Sequence, residues 1–394
     1  MTAKYGLATL AVHGGESNKG KSEPVATPIY QSSTYIFPDT KSLEGFGKGS
    51  KLGQHIYLRY GNPTQDKLNQ RLALLEDAED ALVFSSGMAA ITTAILAAVN
   101  KGDEIIAIAT LYGQTLNFLR LGLPEEYGIT TKFLTLDDIY DLTKHVTNRT
   151  KLIYFETPTN PNLMIVDIAN LVEQAKELGL KTMIDNTFAT PINQQPIPMG
   201  VDYVIHSATK YLGGHSDVLA GAVMGPKDFI LKCHERMHMY GPTLDPFAAF
   251  LLLRSLKTLE VRVQRQNENA MKLAEFFNSH AKVERVHYPG LPDDSFHKIA
   301  KKQMKGFGGM INVVIKGGKK EAMKVVDNLE ICLNATSLGG CETLASIPVI
   351  TSHSWQTPEE LALAEIVPQM IRFSIGLENP EDLIADIDQA LNKI

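Results

Sequence analysis

The chain has 394 residues, 44% of them hydrophobic and 21% charged, so it is long and apolar enough to bury the cores of two or three domains. This composition excludes global disorder, and a net charge of −6 leaves no basic footprint for nucleic acid. Three distant cysteines argue against a disulfide framework, and the longest apolar stretch, residues 89–99, is too short to span a membrane. We therefore expect a cytoplasmic protein without nucleic-acid or membrane partners.

The N-terminal segment, residues 1–63, differs in composition from the rest of the chain. Residues 14–63 are rich in Gly, Ser, Lys and Pro, and their apolar runs are short. A segment that cannot build its own core usually packs onto something else, such as a neighbouring subunit. We predict that residues 1–63 form an arm that contacts a neighbouring subunit.

Residues 64–255 alternate between helical and strand-like patterns. Thr64 is predicted to cap the first helix, and Asp167 is predicted to cap the helix over 167–178, whose apolar residues share one face. The predicted strands are 81–84, 104–109, 151–155, 180–184, 203–206 and 220–224. Because these runs are continuously apolar and separated by helices, they predict a large α/β domain with a mostly parallel sheet covered on both faces.

Residues 256–394 are predicted to form a smaller α+β domain. A long helix over 246–279 leads into it. The predicted strands are 283–287, 309–315 and 370–375, and the predicted helices are 319–329 and 379–392.

Chemically active residues follow the strands of the predicted large sheet. They lie in the segments Ser85–Met88, Tyr112–Gly113, Glu156–Pro161, Asp185–Thr187 and Ser207–Lys210. Ligands of open parallel sheets bind outside the carboxyl ends of the strands, so we expect these segments to meet there. The edge would then combine an anion cradle, an aromatic ring, an acid, hydroxyls and a lysine.

This combination suits pyridoxal phosphate. Lys210 would form the Schiff base, Asp185 would keep the pyridine nitrogen protonated, Tyr112 would stack on the ring and Thr187 would add a hydroxyl. The phosphate would be held by Ser86, Gly87, Met88, Ser207 and Thr209. Taken singly, each residue has an ordinary structural explanation, such as a cap or a surface charge. Their placement on one edge favours the cofactor.

The segment Ser207–Asp217 resembles the lysine signature of the trans-sulfuration enzymes, the Cys/Met metabolism family of fold-type I pyridoxal-phosphate enzymes. Further segments similar to that family's motifs are spread along the chain. They are Ile56–Thr64, Ser85–Ala89, Glu156–Pro161, Asp185–Thr187, Ser337–Gly340 and Arg372–Gly376. The resemblance implies the fold-type I architecture and an amino-acid substrate.

The resemblance also implies roles that spacing alone does not assign. Tyr57 and Arg59 would reach across a dimer interface to the neighbour's cofactor phosphate, and Tyr57 would also approach the substrate. Arg372 would pair bidentately with the substrate α-carboxylate, with Asn160 and Ser337 nearby. Members of the family are commonly homotetramers of two catalytic dimers, so we expect one here.

Chemistry at Cγ of an amino acid requires loss of an α-proton and then a β-proton. Lys210 would move both protons, and Tyr112 would assist proton transfer at the leaving group. If water completes the reaction after the Cγ substituent has left, the enzyme is a lyase. If a thiol adds at Cγ instead, the enzyme is a synthase or a sulfhydrylase. The protein is therefore expected to break or form a Cγ–S bond.

Three positions bear on which of these reactions is catalysed. Asn117 and Thr336 stand where cystathionine enzymes of the family typically have arginine and glutamate, and Gln114 stands where methionine γ-lyases usually have cysteine. With Asn117 at this position, the chain resembles the O-acylhomoserine sulfhydrylases. Asn117 is expected to contact the substrate. We rank γ-elimination on a sulfur amino acid first. O-acylhomoserine sulfhydrylase or cystathionine γ-synthase remains the alternative, and β-lyase or aminotransferase activity ranks lower.

Two other readings receive less support from the sequence. His234 and His238, next to Cys233 and spaced i, i+4, could ligate a metal, but no further ligands are evident, so no metal site is predicted. A catalytically idle binding protein is a separate class. The combined presence of Lys210, Asp185 and Arg372 argues against it.

Overall fold

The computed structural model describes residues 5–15, 24–47, 55–354 and 356–394. The α-helices in these ranges are α1 Leu7–His13, α2 Thr40–Gly47, α3 Pro63–Glu76, α4 Gly87–Ala98, α5 Gly113–Asn117, α6 Ile168–Glu177, α7 Thr190–Asn193, α8 Lys227–Tyr240, α9 Pro246–Leu256, α10 Leu259–Ser279, α11 His297–Gln303, α12 Lys319–Asp327, α13 Pro358–Leu363 and α14 Pro380–Leu391. The strands are β1 Asp80–Phe84, β2 Glu104–Ile108, β3 Thr130–Leu134, β4 Thr150–Glu156, β5 Lys181–Asp185, β6 Tyr203–His206, β7 Gly221–Gly225, β8 Val283–His287, β9 Met310–Ile315, β10 Leu333–Asn334, β11 Leu344–Ser346 and β12 Met370–Ser374. A π-helix spans Phe118–Tyr127.

The larger sheet has the strand order β1-β7-β6-β5-β4-β2-β3. β7 is antiparallel to both of its neighbours, whereas the other pairs in this sheet are parallel. The predicted α/β class with a mostly parallel sheet is therefore confirmed. All six strands predicted between residues 64 and 255 are present, with bounds that differ by one residue at most.

Continuous burial explains why these apolar runs form the centre of the sheet. Every residue of β2 is buried, and β4 and β5 each have a single exposed residue. Strands of this kind need helices on both faces. The edge strand β3 was not predicted, because its residues are mostly half-exposed and give no continuous apolar signal.

Helix starts were predicted with mixed success. Asp167 caps α6 as predicted, because its carboxylate accepts the backbone N–H of Asn170 at 3.2 Å. The prediction that Thr64 caps α3 was wrong. Asn62 is the cap, and the Thr64 hydroxyl instead donates to the carbonyl of Pro28 at 3.0 Å. The hydroxyl thus ties the N-terminal arm to α3.

The smaller sheet has the order β10-β11-β12-β9-β8 and a core of its own. Its short strands β10 and β11 were not predicted, because two or three residues carry no periodic pattern. The single long helix predicted over 246–279 was also wrong, since α9 ends at Leu256 and α10 begins at Leu259. At the end of α9 the Ser255 carbonyl accepts the backbone N–H of Thr258 at 3.1 Å and the buried guanidinium of Arg262 at 3.0 Å.

The contact of residues 1–63 with a neighbouring subunit and the predicted domain bounds stay predictions. Of the first 63 residues, 1–4, 16–23 and 48–54 lie outside the described ranges. Among the described helices, none combines the length and apolarity needed to cross a bilayer.

Candidate active site

A cavity of about 760 Å³ opens at the carboxyl ends of the larger sheet. The predicted site residues that line it are Ser86, Gly87, Met88, Tyr112, Asn160, Asp185, Thr187, Ser207, Thr209, Lys210, Ser337 and Arg372. Residues from both sheets therefore meet in one place. Three of the predicted site residues, Tyr57, Arg59 and Asn117, lie outside this lining.

The start of α4 forms the anion cradle. The Ser86 hydroxyl accepts the backbone N–H of Ala89 at 3.1 Å, and the other first-turn amides have no acceptor within the helix. A Cβ on Gly87 would lie 2.8 Å from the Ser207 side chain, so only glycine fits between the two segments. The cradle thus brings N–H groups and hydroxyls together, as a phosphate requires.

Asp185 ends β5 and is buried. Its Oδ1 accepts the hydroxyl of Thr187 at 2.5 Å and the backbone N–H of Thr187 at 3.0 Å. Burial raises the pKa of Asp185, while the Thr187 hydrogen bonds and the charge of His206 lower it. These contacts fix the carboxylate in one orientation at the base of the cavity.

Lys210 follows β6 and reaches toward the smaller sheet. Its Nζ donates to the Ser337 hydroxyl at 2.7 Å, across 127 residues of sequence. Burial, followed by the charge of Arg372, lowers the pKa of Lys210 from 10.5 to about 8. The free amine, which is the form that attacks an aldehyde, is therefore far more populated near neutral pH than in an exposed lysine.

Ser337 holds an uncommon backbone conformation. Its φ is +88°, in the region that side chains other than glycine rarely adopt. Such strain persists where surrounding contacts fix it, and it clusters at functional sites. Here the Ser337 hydroxyl meets Lys210 and its carbonyl accepts from Arg372 at 3.3 Å.

Arg372 lies buried in β12. Its Nη1 donates to the side-chain oxygen of Asn160 at 3.0 Å. Burial lowers the pKa of Arg372 to about 10, so the guanidinium remains charged at neutral pH. Because Asn160 and the Ser337 carbonyl are neutral acceptors, the positive charge is available to an anionic ligand.

Tyr112 lines the cavity from the start of α5, and 38% of its surface is exposed. Its backbone N–H donates to Glu156 Oε2 at 3.1 Å. Burial raises the pKa of Tyr112, so the phenol keeps its proton at neutral pH. The ring can stack on a flat ligand while its hydroxyl donates a proton.

Glu156 was not assigned a role by the sequence. It ends β4 directly beside Asp185, and its carboxyl accepts the backbone N–H of Asn160 at 2.6 Å as well as that of Tyr112. Burial, followed by the charge of Asp185, raises the pKa of Glu156 well above its usual range. Its position at a strand end, like that of Asp185, is the signal that could have identified it.

A segment of the C-terminal region contributes to the cavity lining and was not predicted. Ile350, Thr351, Ser352 and Ser354 line the cavity from this segment. The segment is anchored by His353, which is buried next to Arg372, and burial lowers the pKa of His353 to about 4. Nothing in the local sequence pattern connects this segment to β5 or β6.

The arm residues lie apart from this chain's own cavity. Tyr57 is 44% exposed, and Arg59 donates to the carbonyl of His238 at 2.8 Å and stacks over the Tyr60 ring at 4.8 Å. Asn117 ends α5 outside the cavity lining. The roles of these three predicted residues stay predictions.

His234 and His238 contact each other on α8. Their Nε2 atoms are 3.2 Å apart, and His234 also lies 3.1 Å from the carbonyl of Tyr60. Burial lowers the pKa of His238 to about 4, with further lowering by His234 and Arg59. In the described part of the chain, no group of three or more His, Cys, Asp or Glu side chains is arranged to hold a metal.

The sequence model of the Cys/Met metabolism PLP-dependent enzymes matches residues 8–392. The chain belongs to this family. This family member therefore uses pyridoxal phosphate, and its residues fit the cofactor: a lysine whose pKa is lowered to about 8, a buried acid and a helix N-terminus with hydroxyls meet in one cavity. The trans-sulfuration resemblance is thereby confirmed.

Two relatives show the level of sequence similarity within the family. It is 42% identical to an L-methionine gamma-lyase of Fusobacterium nucleatum subsp. polymorphum, over 100% of both chains. It is also 42% identical to the chloroplastic cystathionine gamma-synthase 1 of Arabidopsis thaliana, over 98% of this chain and 69% of that protein.

Solved structures share its fold. The metB structure from Corynebacterium glutamicum has 36% identity and a TM-score of 0.91, covering 99% of this chain and 98% of that one. A putative O-acetylhomoserine (thiol)-lyase from Campylobacter jejuni subsp. jejuni has 33% identity and a TM-score of 0.93, over 98% and 100% of the chains. That structure carries a pyridoxyl-lysine group.

Proposed function

We propose that this family member catalyses γ-elimination from a sulfur amino acid whose Cγ substituent is uncharged, as methionine γ-lyases do. The observation that carries the proposal is the distribution of charge in the cavity. Charged lining residues are confined to Glu156, Asp185, Lys210 and Arg372, among the residues that the structure describes. The rest of the lining, which includes Gln114, Thr336, Leu338, Ile350 and Thr351, is neutral.

A neutral wall discriminates between substrates by desolvation. Cystathionine carries an ammonium and a carboxylate beyond its sulfur, and burying these charges against neutral groups costs free energy. The methyl group of methionine meets no such penalty. Several L-methionine gamma-lyases, 39–42% identical over at least 97% of both chains, further support this choice.

γ-Replacement on an acetyl ester of homoserine is the second candidate. An acetyl ester is uncharged at its distal end and suits the same wall. The likeness to the putative O-acetylhomoserine (thiol)-lyase supports this second candidate. Water or a thiol then decides between elimination and replacement.

Each residue of the site has its own role in the proposed reaction. Bound pyridoxal phosphate supplies an electron sink for the substrate Cα. Arg372 and Asn160 hold the substrate carboxylate, and Lys210 Nζ moves protons at Cα and Cβ. Tyr112 Oη donates a proton to the departing sulfur. With methionine and water the products are 2-oxobutanoate, ammonia and methanethiol.

A substrate panel tests the proposal. The holoenzyme is incubated separately with methionine, cystathionine, cysteine, and O-acetylhomoserine plus sulfide, and the products are identified. We expect methionine to yield 2-oxobutanoate, ammonia and methanethiol in equal amounts, with a kcat/KM at least about tenfold above that for cystathionine, because burying an uncompensated charge costs more than 1.4 kcal/mol. A preference for cystathionine would contradict the neutral-wall argument, and product from O-acetylhomoserine and sulfide alone would favour the second candidate.

We also propose a homotetramer of two catalytic dimers in which the arm of one subunit completes the site of the next. The arm presents apolar side chains to solvent in the single chain, with Ile36 100% and Val25 89% exposed. Exposed apolar groups on a segment without its own core support burial against a second copy. In this arrangement Tyr57 and Arg59 contact the neighbour's cofactor phosphate.

Replacing Arg59 with alanine tests the role of the arm. We expect the dissociation constant of pyridoxal phosphate to rise about tenfold, because one charge-assisted hydrogen bond to phosphate is lost. Cofactor content of the purified protein and titration of the apoprotein measure the effect. The control is Arg149→Ala, which removes an exposed arginine that pairs with the buried Glu104 outside the cavity lining. If Arg59→Ala retains as much cofactor as Arg149→Ala, the arm does not bind the phosphate.

We propose that the protein works in the cytoplasm. Its three cysteines, Cys233, Cys332 and Cys341, are all free, and the first two are buried. Free thiols without disulfides support a reducing compartment.

A further inference from the structure

A buried pair of ionisable side chains lies behind the cavity and has no role in the reaction described above. Glu76 is the last residue of α3, and His206 is the last residue of β6. Each side chain is only 1% exposed, and the His206 Nε2 lies 2.5 Å from Glu76 Oε1. Neither residue lines the cavity.

Glu76 connects two of the segments that carry cofactor-site residues. Its Oε1 accepts from His206 and also from the side-chain amide of Asn186, at 2.9 Å. Asn186 directly follows Asp185, and His206 directly precedes Ser207. One carboxylate oxygen therefore holds both the base of the ring site and one wall of the phosphate cradle.

The network extends to a third strand. The Asn186 amide also donates to the carbonyl of Gln194 at 2.9 Å and accepts from the Gln194 side chain at 3.0 Å. The Gln194 side chain in turn donates to the carbonyl of Thr157, the residue after Glu156, at 3.2 Å. The Asn186 side chain is thus held by Glu76 and Gln194. Glu76 also contacts the end of β6, and Gln194 also contacts the segment after β4.

The charges of the pair are strongly linked. A buried carboxylate needs a compensating charge or full hydrogen bonding. Glu76 Oε2 has no hydrogen-bond partner among the described residues, so compensation falls on the contacts of Oε1. His206 is the basic side chain in contact with that oxygen. Its charge lowers the pKa of Asp185, which opposes the larger effect of burial.

We propose that the Glu76–His206 pair is a positioning element of the cofactor site: Glu76 holds His206 as an imidazolium, and His206 in turn keeps Asp185 anionic and Ser207 in place. The proposal rests on the cofactor roles proposed for Asp185 and Ser207. It assigns the pair no contact with substrate or cofactor. Its effect is to pre-form the site before the cofactor binds.

Glu76→Gln tests the pair, since it keeps an oxygen acceptor and the side-chain shape but removes the charge. We expect the dissociation constant of pyridoxal phosphate, measured by titrating the apoprotein, to rise about tenfold, or about 1.4 kcal/mol. His206→Gln should raise it equally, and the double variant should not be additive, because the two residues act as one unit.

The control is Asp388→Asn, in a His–carboxylate pair that is more exposed than Glu76–His206. It removes the carboxylate of this pair, in which His280 Nε2 lies 3.2 Å from Asp388, outside the cavity lining. We expect its cofactor affinity to equal that of the wild type. A lower thermal midpoint of the Glu76→Gln apoprotein combined with wild-type cofactor affinity would show a purely structural role and overturn the proposal.

A measurement on the wild-type holoenzyme tests the proposal without any substitution. With ¹⁵N-labelled histidine, the ring-nitrogen chemical shifts report whether both nitrogens of His206 are protonated at pH 7. Two protonated nitrogens are expected, and a neutral ring would refute the proposal. If the wild-type apoprotein did not bind pyridoxal phosphate at all, the cofactor roles of Asp185 and Ser207 would be wrong instead, so the two failures are distinguishable.

Discussion

Replacing Lys210 with alanine should lower kcat by about 10⁴-fold, because the variant loses the amine that we propose both bonds the cofactor and moves the substrate protons. The amine is suited to both tasks, since burial and Arg372 lower its pKa to about 8. The expected signs are loss of the long-wavelength absorbance of the covalently bound cofactor and product formation near background. The subunit assembly should be unchanged.

The control for this prediction is Lys305→Ala. Lys305 is a lysine outside the cavity whose Nζ lies 3.4 Å from the side-chain oxygen of Gln195, in an exposed contact. This variant should keep wild-type kcat and the wild-type spectrum. Turnover within tenfold of the wild type in Lys210→Ala would show that another group is the base, and the assignment of Lys210 would have to be abandoned.

Replacing Arg372 with alanine should lower kcat/KM by about 10²–10⁴-fold. The guanidinium is expected to make two charge-assisted hydrogen bonds to the substrate carboxylate, each contributing about 1.5–3 kcal/mol. Most of the loss should appear in KM, because the carboxylate is held in the ground state as well as in the transition state. Steady-state kinetics with methionine measure the split between KM and kcat.

Two further measurements separate binding from folding in the Arg372 series. Arg372→Lys keeps the charge but cannot form the planar two-point contact, so its kcat/KM should fall between those of the wild type and Arg372→Ala. Arg372→Ala also leaves Asn160 and the Ser337 carbonyl without their donor, which should lower the free energy of unfolding by about 1–3 kcal/mol. An unchanged KM in both variants would exclude Arg372 as the carboxylate ligand.

Elements whose signal is local were predicted well. The continuous apolar runs that became β2, β4 and β5 report burial on both faces, and burial on both faces requires a covered parallel sheet. The rule that ligands bind at the carboxyl ends of such strands was then enough to gather Asp185, Ser207 and Lys210 around one cavity. Elements without a periodic signal, such as β3 and β10, were missed for the corresponding reason.

The site residues of the C-terminal region could not be predicted from local patterns. Periodicity did not connect Arg372 or Ser337 to the cavity, and only the resemblance to a known family placed them there. Asn160 and Arg372 are 212 residues apart in sequence and 3.0 Å apart in space. The segment with Ile350 and Thr351, for which no motif was recognised, was not predicted at all.

The sequence by itself determined the covered parallel sheet and the cofactor, and it singled out Lys210 as the candidate lysine, because strand burial and strand-end residues are local features of short segments. The tertiary structure decided what surrounds Lys210: the serine that accepts its hydrogen bond, the neutral residues that share the cavity lining, and the buried Glu76–His206 pair outside that lining. These depend on how the two sheets and α3 pack together. Packing brings residues more than a hundred positions apart into contact, and no local pattern of residues encodes such distances.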